Sequence, residues 1–371
     1  KILQQWKSME TQGLEMDTIE HEQVGNGVSI SRRGNPYIFQ GENGTYLTLM
    51  SLEKGIPQPI DGLKLTLGEL VAMPDYFTDP NWNMKLDLES CNQYTATEEL
   101  GKQLIRKEVT QAEEDALLGA LHDLAKPGRK RSSIDTVFKI ASATYFPVNS
   151  VNSLIRELMY FLRVKHYDRK LNTNQTHFTP WSVRVYIIGH TMALEYAEAA
   201  SQLIQRANDP EFRTDNLYLN QVVNYLSDSD QLDKKMLQDY AHRFHAMSIE
   251  IEMYTAHYLS DHFAAGHMSQ VGDLRVIMPE KYGTLGGLAV NTMHNELNRI
   301  GVRTRKPYDP VPNATEPPLQ AYGDGDFDRC ENTFNREACI NSLQHSIADI
   351  EGVLEGKDRP EPEEYGALNH L

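Results

Sequence analysis

The sequence predicts a mainly α-helical protein, because two long stretches repeat apolar side chains at the spacing of a helix. Residues 181–206 place Val185, Ile188 and Met192 on one face. Residues 231–265 hold the longest pattern, with a stripe of Met and aromatic side chains that indicates a helix facing the core. Shorter helical patterns cover residues 97–126, 150–164 and 336–355. Residues 25–68 are rich in Gly, Asn and Pro and are predicted to be loop with short extended pieces.

Length and composition describe a globular protein. The 371 residues suffice for two or three average domains, or for one large helical domain with an appendage. The sequence has no apolar run of about 18 residues, which excludes a predicted membrane-spanning helix. A net charge of −16 disfavours binding to a nucleic-acid backbone. The first residues lack the basic and apolar parts of an export signal, so we expect any such signal to have been removed.

Helix boundary signals place several polar residues at element ends. Thr179 and Pro180 predict the start of the helix at 181, with Thr179 as N-cap and Pro180 as first helical residue. His177 then lies in the turn before this helix, whereas His190 lies inside it and is predicted to be a packed or hydrogen-bonded core residue. A proline likewise ends the element that precedes Asp75, and such positions often expose functional side chains.

The C-terminal part differs in composition from the rest of the chain. The Pro-rich segment 307–318 is predicted to be a linker, which divides the chain into a helical domain, 1–305, and a linker with C-terminal extension, 306–371. Of the three cysteines, Cys330 and Cys339 are close enough to form one disulfide, as in an exported protein, and none forms the C-x-x-C pair of a zinc site.

One motif in the longest helical pattern has the spacing of a metal site. His257 and Asp261 are four residues apart and share a helix face, and Gly266 allows the chain to turn so that His267 returns to that face. Two imidazoles and a carboxylate in this order could serve two metal ions that share the carboxylate. The alternative is a buried helix that collected histidines by chance, since the chain has 13 of them.

Other histidines and acidic residues extend this motif in a fixed order along the chain. An early His21, the pair Asp75-Tyr76, the pair His177-Phe178 with Pro180, the motif His257-x3-Asp261-x5-His267 and the late pair His294-x3-Asn298 follow one another. This series resembles the zinc-dependent phospholipase C family, whose fold is shared with fungal P1/S1-type nucleases. The resemblance implies a multi-helical core of that fold and a zinc centre of two or three ions.

The sequence departs from the family pattern in three places. About a hundred residues separate Asp75 from His177, an insertion at about 80–170 that resembles the larger enzymes of gram-negative bacteria such as Legionella and Pseudomonas. Asn298 stands where the family has a carboxylate, so the ion near His267 and His294 is expected to be weakly held. The compact members use an N-terminal Trp amine as a ligand, whereas this chain begins with Lys1.

The resemblance also implies a role for each residue. Asp75, His177, His257 and Asp261 would hold one zinc ion, Asp261 would bridge to a second ion near His21, and His267 and His294 would hold the third, with Asn298 as an additional ligand. Asp75 would also orient or deprotonate the attacking water. The expected reaction is hydrolysis of a glycerophospholipid, such as phosphatidylcholine, to diacylglycerol and a phosphorylated head group, by a secreted bacterial enzyme.

Two other functions remain open from the sequence. A zinc-dependent nuclease of the same fold would use the same metal cluster, although no pair of aromatic residues is clearly placed to stack a base. A zinc-stabilised helical protein that binds lipid or a protein partner without turnover would need the scaffold but not the chemistry. The phospholipase hypothesis predicts a phospholipid at a membrane surface as the partner, without nucleic acid.

Overall fold

A computed structural model describes residues 18–78, 105–147, 149–167, 170, 174–268, 271–304, 319–323 and 325–371, and it confirms a mainly α-helical protein. The helices, in chain order, are α1 Thr18–Asn26, α2 Leu67–Val71, α3 Gln111–Leu124, α4 Arg131–Ala141, α5 Asn149–Arg163, α6 Trp181–Asn208, α7 Leu217–Asp228, α8 Lys234–Asp261, α9 Val271–Tyr282, α10 Thr284–Ile300 and α11 Thr333–Leu354. The strands are β1 Ile38–Gly41, β2 Gly44–Glu53, β3 Ile56–Thr66, β4 Val302–Thr304 and β5 Leu319–Ala321.

The core is built on α6 and α8, which are both 28 residues long and run antiparallel. Ser248 donates to the carbonyl of Ala193 at 2.6 Å. Two turns further along α8, Thr255 lies against Gly189, where an added Cβ would come within 2.3 Å of the threonine Oγ1. Only glycine permits so close an approach of the two helices. The end of α8 therefore lies beside the start of α6, and the predicted metal motif lies at that end.

Residues 25–68, predicted to be loop with short extended pieces, contain longer strands than expected. Strands β1, β2 and β3 form an antiparallel sheet in that order, with a register irregularity between Thr48 and Met50. At this irregularity the Met50 N–H donates to the buried carboxyl group of Glu250 on α8 at 2.6 Å. The side chain thus satisfies a backbone group that the strand pairing leaves out. Gly44 and Gly55 lie at the two hairpin turns with positive φ, which explains the glycine content.

The helix start at residue 181 differs in detail from the prediction. Pro180 precedes the helix as its cap residue, after a cis peptide bond with Thr179, and it provides no side-chain cap. The Thr179 hydroxyl instead makes a hydrogen bond with His262 at 2.8 Å, and its N–H donates to the carbonyl of His267 at 2.9 Å. The threonine therefore joins the two short segments that carry His177 and His267.

The C-terminal helix α11 packs against α6 and α8 in the same hydrophobic core. The predicted disulfide is wrong, because Cys330 and Cys339 are both free. Cys330 is exposed in a short 3-10 turn and Cys339 is buried on α11, where burial raises the pKa of its thiol. The predicted linker 307–318 and Cys91 lie outside the described residues, so the division of the chain at residue 305 stays a prediction. Within the described parts of the chain, no helix is both long and apolar enough to cross a membrane.

A buried polar group joins α11 to the two long helices, and we call it the His190 cluster. Its members are His190 and Tyr186 on α6, Glu252 on α8, and Ser346 and Asp349 on α11. His190 Nδ1 lies 2.7 Å from Glu252, and the Tyr186 hydroxyl lies 2.6 Å from Ser346, which donates to the other oxygen of Glu252. The prediction that His190 is a hydrogen-bonded core residue is confirmed.

Candidate metal centre

Asp261, the last residue of α8, lies at the centre of the predicted ligands. Its side chain is buried, and four imidazoles from different parts of the chain face its two oxygens. Oδ2 lies 2.7 Å from His177 Nδ1 and 3.4 Å from His257 Nε2. Oδ1 lies 3.3 Å from His267 Nδ1 and 3.5 Å from His21 Nε2. Each oxygen thus faces its own pair of histidines, which is the arrangement of a carboxylate that bridges two cations.

Asp75 approaches the same group from the other side. Its Oδ1 lies 3.3 Å from His257 Nε2 and 3.7 Å from His177 Nδ1. The side chains of Asp75 and His177 are 17% and 10% exposed, whereas those of His21, His257 and Asp261 are at most 1% exposed. The centre therefore opens to solvent beside Asp75 and His177.

Two overlapping sets of residues bring their ligand atoms within 4.8 Å of one another, as a shared cation requires. The first set is His21, His257 and Asp261, and the second is Asp75, His177 and His257. Together they contain five of the eight predicted metal ligands, collected from α1, the turn after α2, the turn before α6, and α8. The structure thus brings together residues that are up to 240 positions apart (261 − 21).

The protonation state of His257 supports a cation at this position. Its Nδ1 lies 2.9 Å from the carbonyl oxygen of Val71, which can only accept, so Nδ1 carries the proton. In neutral His257 the lone pair of Nε2 then faces carboxylate oxygens of Asp75 and Asp261. Two acceptors at such distances repel each other unless a proton or a cation lies between them.

His21 repeats the same geometry. Its Nδ1 lies 2.9 Å from the hydroxyl of Ser260, and that hydroxyl donates to the backbone carbonyl of His257 at 2.8 Å. Ser260 therefore accepts from His21 Nδ1, and the lone pair of Nε2 again faces Asp261. Two imidazoles are thus held with their free lone pairs toward one carboxylate. His267 Nδ1 adds a buried nitrogen that has no hydrogen-bond partner among the described residues. These residues fit a bound cation.

The pKa values of these residues also reflect the contact between imidazoles and carboxylates. Burial alone would lower the pKa of His257, but the carboxylates of Asp261 and Asp75 raise it to about 9. Burial lowers the pKa of His21, and the neighbouring His257 lowers it further. The surrounding imidazoles hold the pKa of Asp261 well below its usual range in spite of burial. A single proton on His257 would therefore leave His21 neutral beside an ionised Asp261.

The remaining predicted ligands form a second group around His267 and His294. The two rings lie 4.9 Å apart between centroids, and both side chains are buried. His294 Nδ1 makes a hydrogen bond with Asn295 Oδ1 at 2.9 Å, and burial lowers the pKa of His294 well below its usual value. His267 joins this group to the first, because it also faces Asp261.

Asn298 lies at the edge of this second group. Its Oδ1 accepts a hydrogen bond from the Gly266 N–H, and its Nδ2 lies 3.4 Å from His294 Nε2. Because the Gly266 donor fixes the orientation of the amide, the NH2 group rather than the oxygen faces His294. Asn298 thus connects the turn that carries His267 with α10, and its role as a metal ligand stays a prediction.

Sequence reasoning missed the residues that orient the ligands. Ser260 and the carbonyl of Val71 fix the two imidazoles of His21 and His257. Glu20, next to His21, accepts from the N–H groups of Gly325 and Phe327 at 3.1 Å and so anchors α1 to the C-terminal region. No sequence signal identifies these contacts, because they join segments that are distant in the chain.

Comparisons with known proteins give no match: none was found among protein-family models, curated proteins or solved structures.

Proposed function

We propose that the protein is a metal-dependent phosphodiesterase, a zinc phospholipase C that hydrolyses glycerophospholipids. One observation carries the proposal: His21 and His257 are held by their Nδ1 partners so that both Nε2 lone pairs face the bridging carboxylate of Asp261. Such a carboxylate among imidazoles suits zinc, for which N and O ligands are typical. The ordered series of motifs that resembles the phospholipase C family supports the same choice.

The residues divide into metal ligands and one candidate general base. His21, His177, His257 and Asp261 would hold cations, and Asp75 would contribute one carboxylate oxygen from the open side. When bound, divalent cations would neutralise the phosphate, acidify a water molecule and stabilise the leaving oxygen. His267 and His294 would extend the cluster toward a further ion.

Asp75 is the candidate for orienting the attacking water. It is the most exposed of these ligands and lies at the opening, where a substrate would enter. Burial would raise its pKa, but the imidazoles of His257 and His177 lower it, so that the carboxylate stays ionised at neutral pH. An ionised carboxylate at this position can accept a hydrogen bond from water and direct the oxygen lone pair toward phosphorus.

The test measures metal content and hydrolysis in the same preparation. We expect at least two zinc ions per chain by elemental analysis, hydrolysis of phosphatidylcholine vesicles, loss of turnover with a strong chelator, and recovery with zinc. Single-stranded DNA is assayed in parallel. Hydrolysis of DNA alone would identify a nuclease, and bound zinc without any hydrolysis would identify a non-catalytic protein. Active protein without stoichiometric metal would refute the proposal.

A further inference from the structure

Helix α5 exposes an apolar face that no described residue covers. Leu158, Phe161 and Leu162 are spaced i, i+3 and i+4, and they are 57%, 47% and 68% exposed. The inward face of the same helix is also apolar, because Tyr160 is buried against Tyr76 with ring centroids 4.9 Å apart. In a helix that is apolar on two opposite faces, one face packs on the core and the other is expected to contact a binding partner.

Packed aromatic rings join the exposed face to the segment of Asp75, on the more exposed side of the candidate metal centre. Phe161 packs edge-on against Tyr167 at 5.3 Å, and Tyr167 stacks with Tyr76 at 6.3 Å. Tyr76 directly follows Asp75, the most exposed ligand. Two aromatic rings, those of Tyr167 and Tyr76, therefore connect Phe161 on the exposed face to the segment that carries Asp75.

The charge around this face differs from that of the whole protein. Residues 158–167, which lie between Glu157 and Asp168, contain Arg163, Lys165 and His166 and no acidic residue, although the chain carries a net charge of −16. These three basic side chains are exposed. Arg163 ends α5, and Lys165 and His166 follow in the turn after it. Exposed leucine and phenylalanine with basic residues nearby are the composition of a segment that lies in a membrane interface and is attracted to anionic lipids.

We propose that Leu158, Phe161 and Leu162 dock the protein on a phospholipid bilayer with its metal centre beside the lipid surface. This inference rests on the proposed function, because docking would bring the site to its phospholipid substrate. Docking itself can be measured without catalysis. The apolar side chains enter the acyl boundary, and Arg163 and Lys165 contact anionic head groups. A second copy of this chain would be a less suitable occupant, because the two basic rims would repel each other in a symmetric contact.

The test uses flotation of the full chain with unilamellar vesicles of phosphatidylcholine, with and without phosphatidylglycerol. The variant Leu158→Ser/Phe161→Ser/Leu162→Ser should lower vesicle binding at least about tenfold, since the apolar side chains no longer enter the acyl boundary. Arg163→Gln/Lys165→Gln should remove the preference for phosphatidylglycerol. The control is Leu217→Ser/Tyr225→Ser on α7, whose exposed side chains lie at the opposite end of α6 and α8 from the metal centre. This control should bind vesicles like the wild type.

Hydrolysis separates the docking proposal from the proposed function. With a water-soluble nitrophenyl ester of phosphocholine, the triple variant should keep turnover within about twofold, while its hydrolysis of vesicles falls with binding. Wild-type vesicle binding in the triple variant, or a wild-type dimer in light scattering that the triple variant converts to monomer, would overturn the docking proposal. If the wild type binds vesicles through this face but hydrolyses neither substrate, docking stands and the proposed function fails.

Discussion

The candidate metal centre and the His190 cluster are both largely buried groups of histidine and carboxylate that involve the same pair of helices, but their hydrogen-bond donors and acceptors are present in different proportions. In the His190 cluster one imidazole lies between two carboxylates, Glu252 at 2.7 Å and Asp349 at 3.4 Å. A serine hydroxyl donates to Glu252, and the Gly366 N–H donates to Asp349 at 2.8 Å. The carboxylates of this cluster therefore face donors that the protein itself supplies.

In the candidate metal centre, imidazoles outnumber carboxylates. Four imidazoles face Asp261, two of them through lone pairs, and the ring nitrogens of His257 and His177 lie 3.0 Å apart. As neutral imidazoles, His21 and His257 turn acceptor nitrogens toward the acceptor oxygens of Asp261, and a bound cation would satisfy both contacts. Burial and a raised pKa are common to both groups, so neither property identifies a metal site. The balance of donors and acceptors is the property that distinguishes them.

The largest difference in metal content and turnover is expected when one carboxylate charge is removed from each group. Asp261→Asn should lose bound metal and lower turnover by at least about a hundredfold, because a neutral amide is a weaker ligand than the bridging carboxylate and even loss of an outer-shell partner costs about 10–100-fold. Glu252→Gln is the matched control, because Glu252 lies on the same helix and is equally buried. That variant should keep its metal. Full zinc occupancy in Asp261→Asn, measured by elemental analysis, would contradict the assignment.

Asp75→Asn tests whether the most exposed carboxylate of the centre takes part in catalysis or only stabilises the turn. Because the loss of a general base alone lowers rates by about 10²–10⁴-fold, turnover on a soluble phosphodiester should fall at least about a hundredfold. The circular dichroism spectrum should be unchanged and the melting temperature should shift by only a few degrees. Near-normal turnover on every phosphodiester tested would make Asp75 a turn residue instead.

His190→Ala should give the reverse result. It leaves the buried Glu252 and the half-buried Asp349 without their shared cationic partner, so the free energy of unfolding should fall by about 3–5 kcal/mol. Turnover and zinc content should stay within about twofold of the wild type once the protein is folded. Denaturant unfolding and elemental analysis measure the two effects, and a loss of zinc here would show that the clusters are coupled.

The pH dependence of stability sharpens the same comparison. Burial would lower the pKa of His190, but Glu252 and Asp349 raise it to about 9, from 6.5 as the ordinary value. A raised pKa in the folded state stabilises the protein fully below about pH 6.5, and this contribution is lost as the pH rises toward 9. The difference in unfolding free energy between the wild type and His190→Ala should therefore shrink between these values, by on the order of 3 kcal/mol. A constant difference would show that His190 is not charged in the fold.

Asn298→Asp should have the smallest effect. The substitution keeps an oxygen to accept from the Gly266 N–H and replaces the amide NH2 near His294 with a carboxylate oxygen. We expect zinc near His267 and His294 to bind roughly tenfold more tightly. Titration with a competing chelator measures this affinity, and an unchanged zinc affinity would remove Asn298 from the ligand set.

How much the sequence predicted depends on the distance between the residues concerned. The pair His257 and Asp261 follows from helix periodicity, and the structure places both on one face of α8. His21 and His177 could be placed at the centre only by their order in the chain, since no local pattern relates them to α8. The contact of Ser260 with His21 depends on the docking of α1, which sequence periodicity does not report.

The sheet shows a second limit of prediction from sequence. The glycines at 41, 44 and 55 favour a loop when the sequence is read alone, but Gly44 and Gly55 belong to hairpin turns between strands. The irregularity at Thr48 and Met50 interrupts the strand alternation that would indicate β2, and the carboxyl group that completes it comes from α8, 200 residues later. Because of these turn residues and the bulge, periodicity indicates only short extended pieces here and not the length or pairing of the strands.

The spread of the ligands along the chain has a kinetic consequence. His21 and His257 are 236 residues apart (257 − 21), and Glu20 ties the helix of His21 to residues beyond 320. A cation held between them would close a loop longer than most disulfides do, and closing a loop of about 100 residues is worth up to ~5 kcal/mol in chain entropy. We expect release of such an ion to need undocking of α1, because His21 is buried and Glu20 anchors its helix. Exchange of the ion with solvent should therefore be as slow as partial unfolding of the protein.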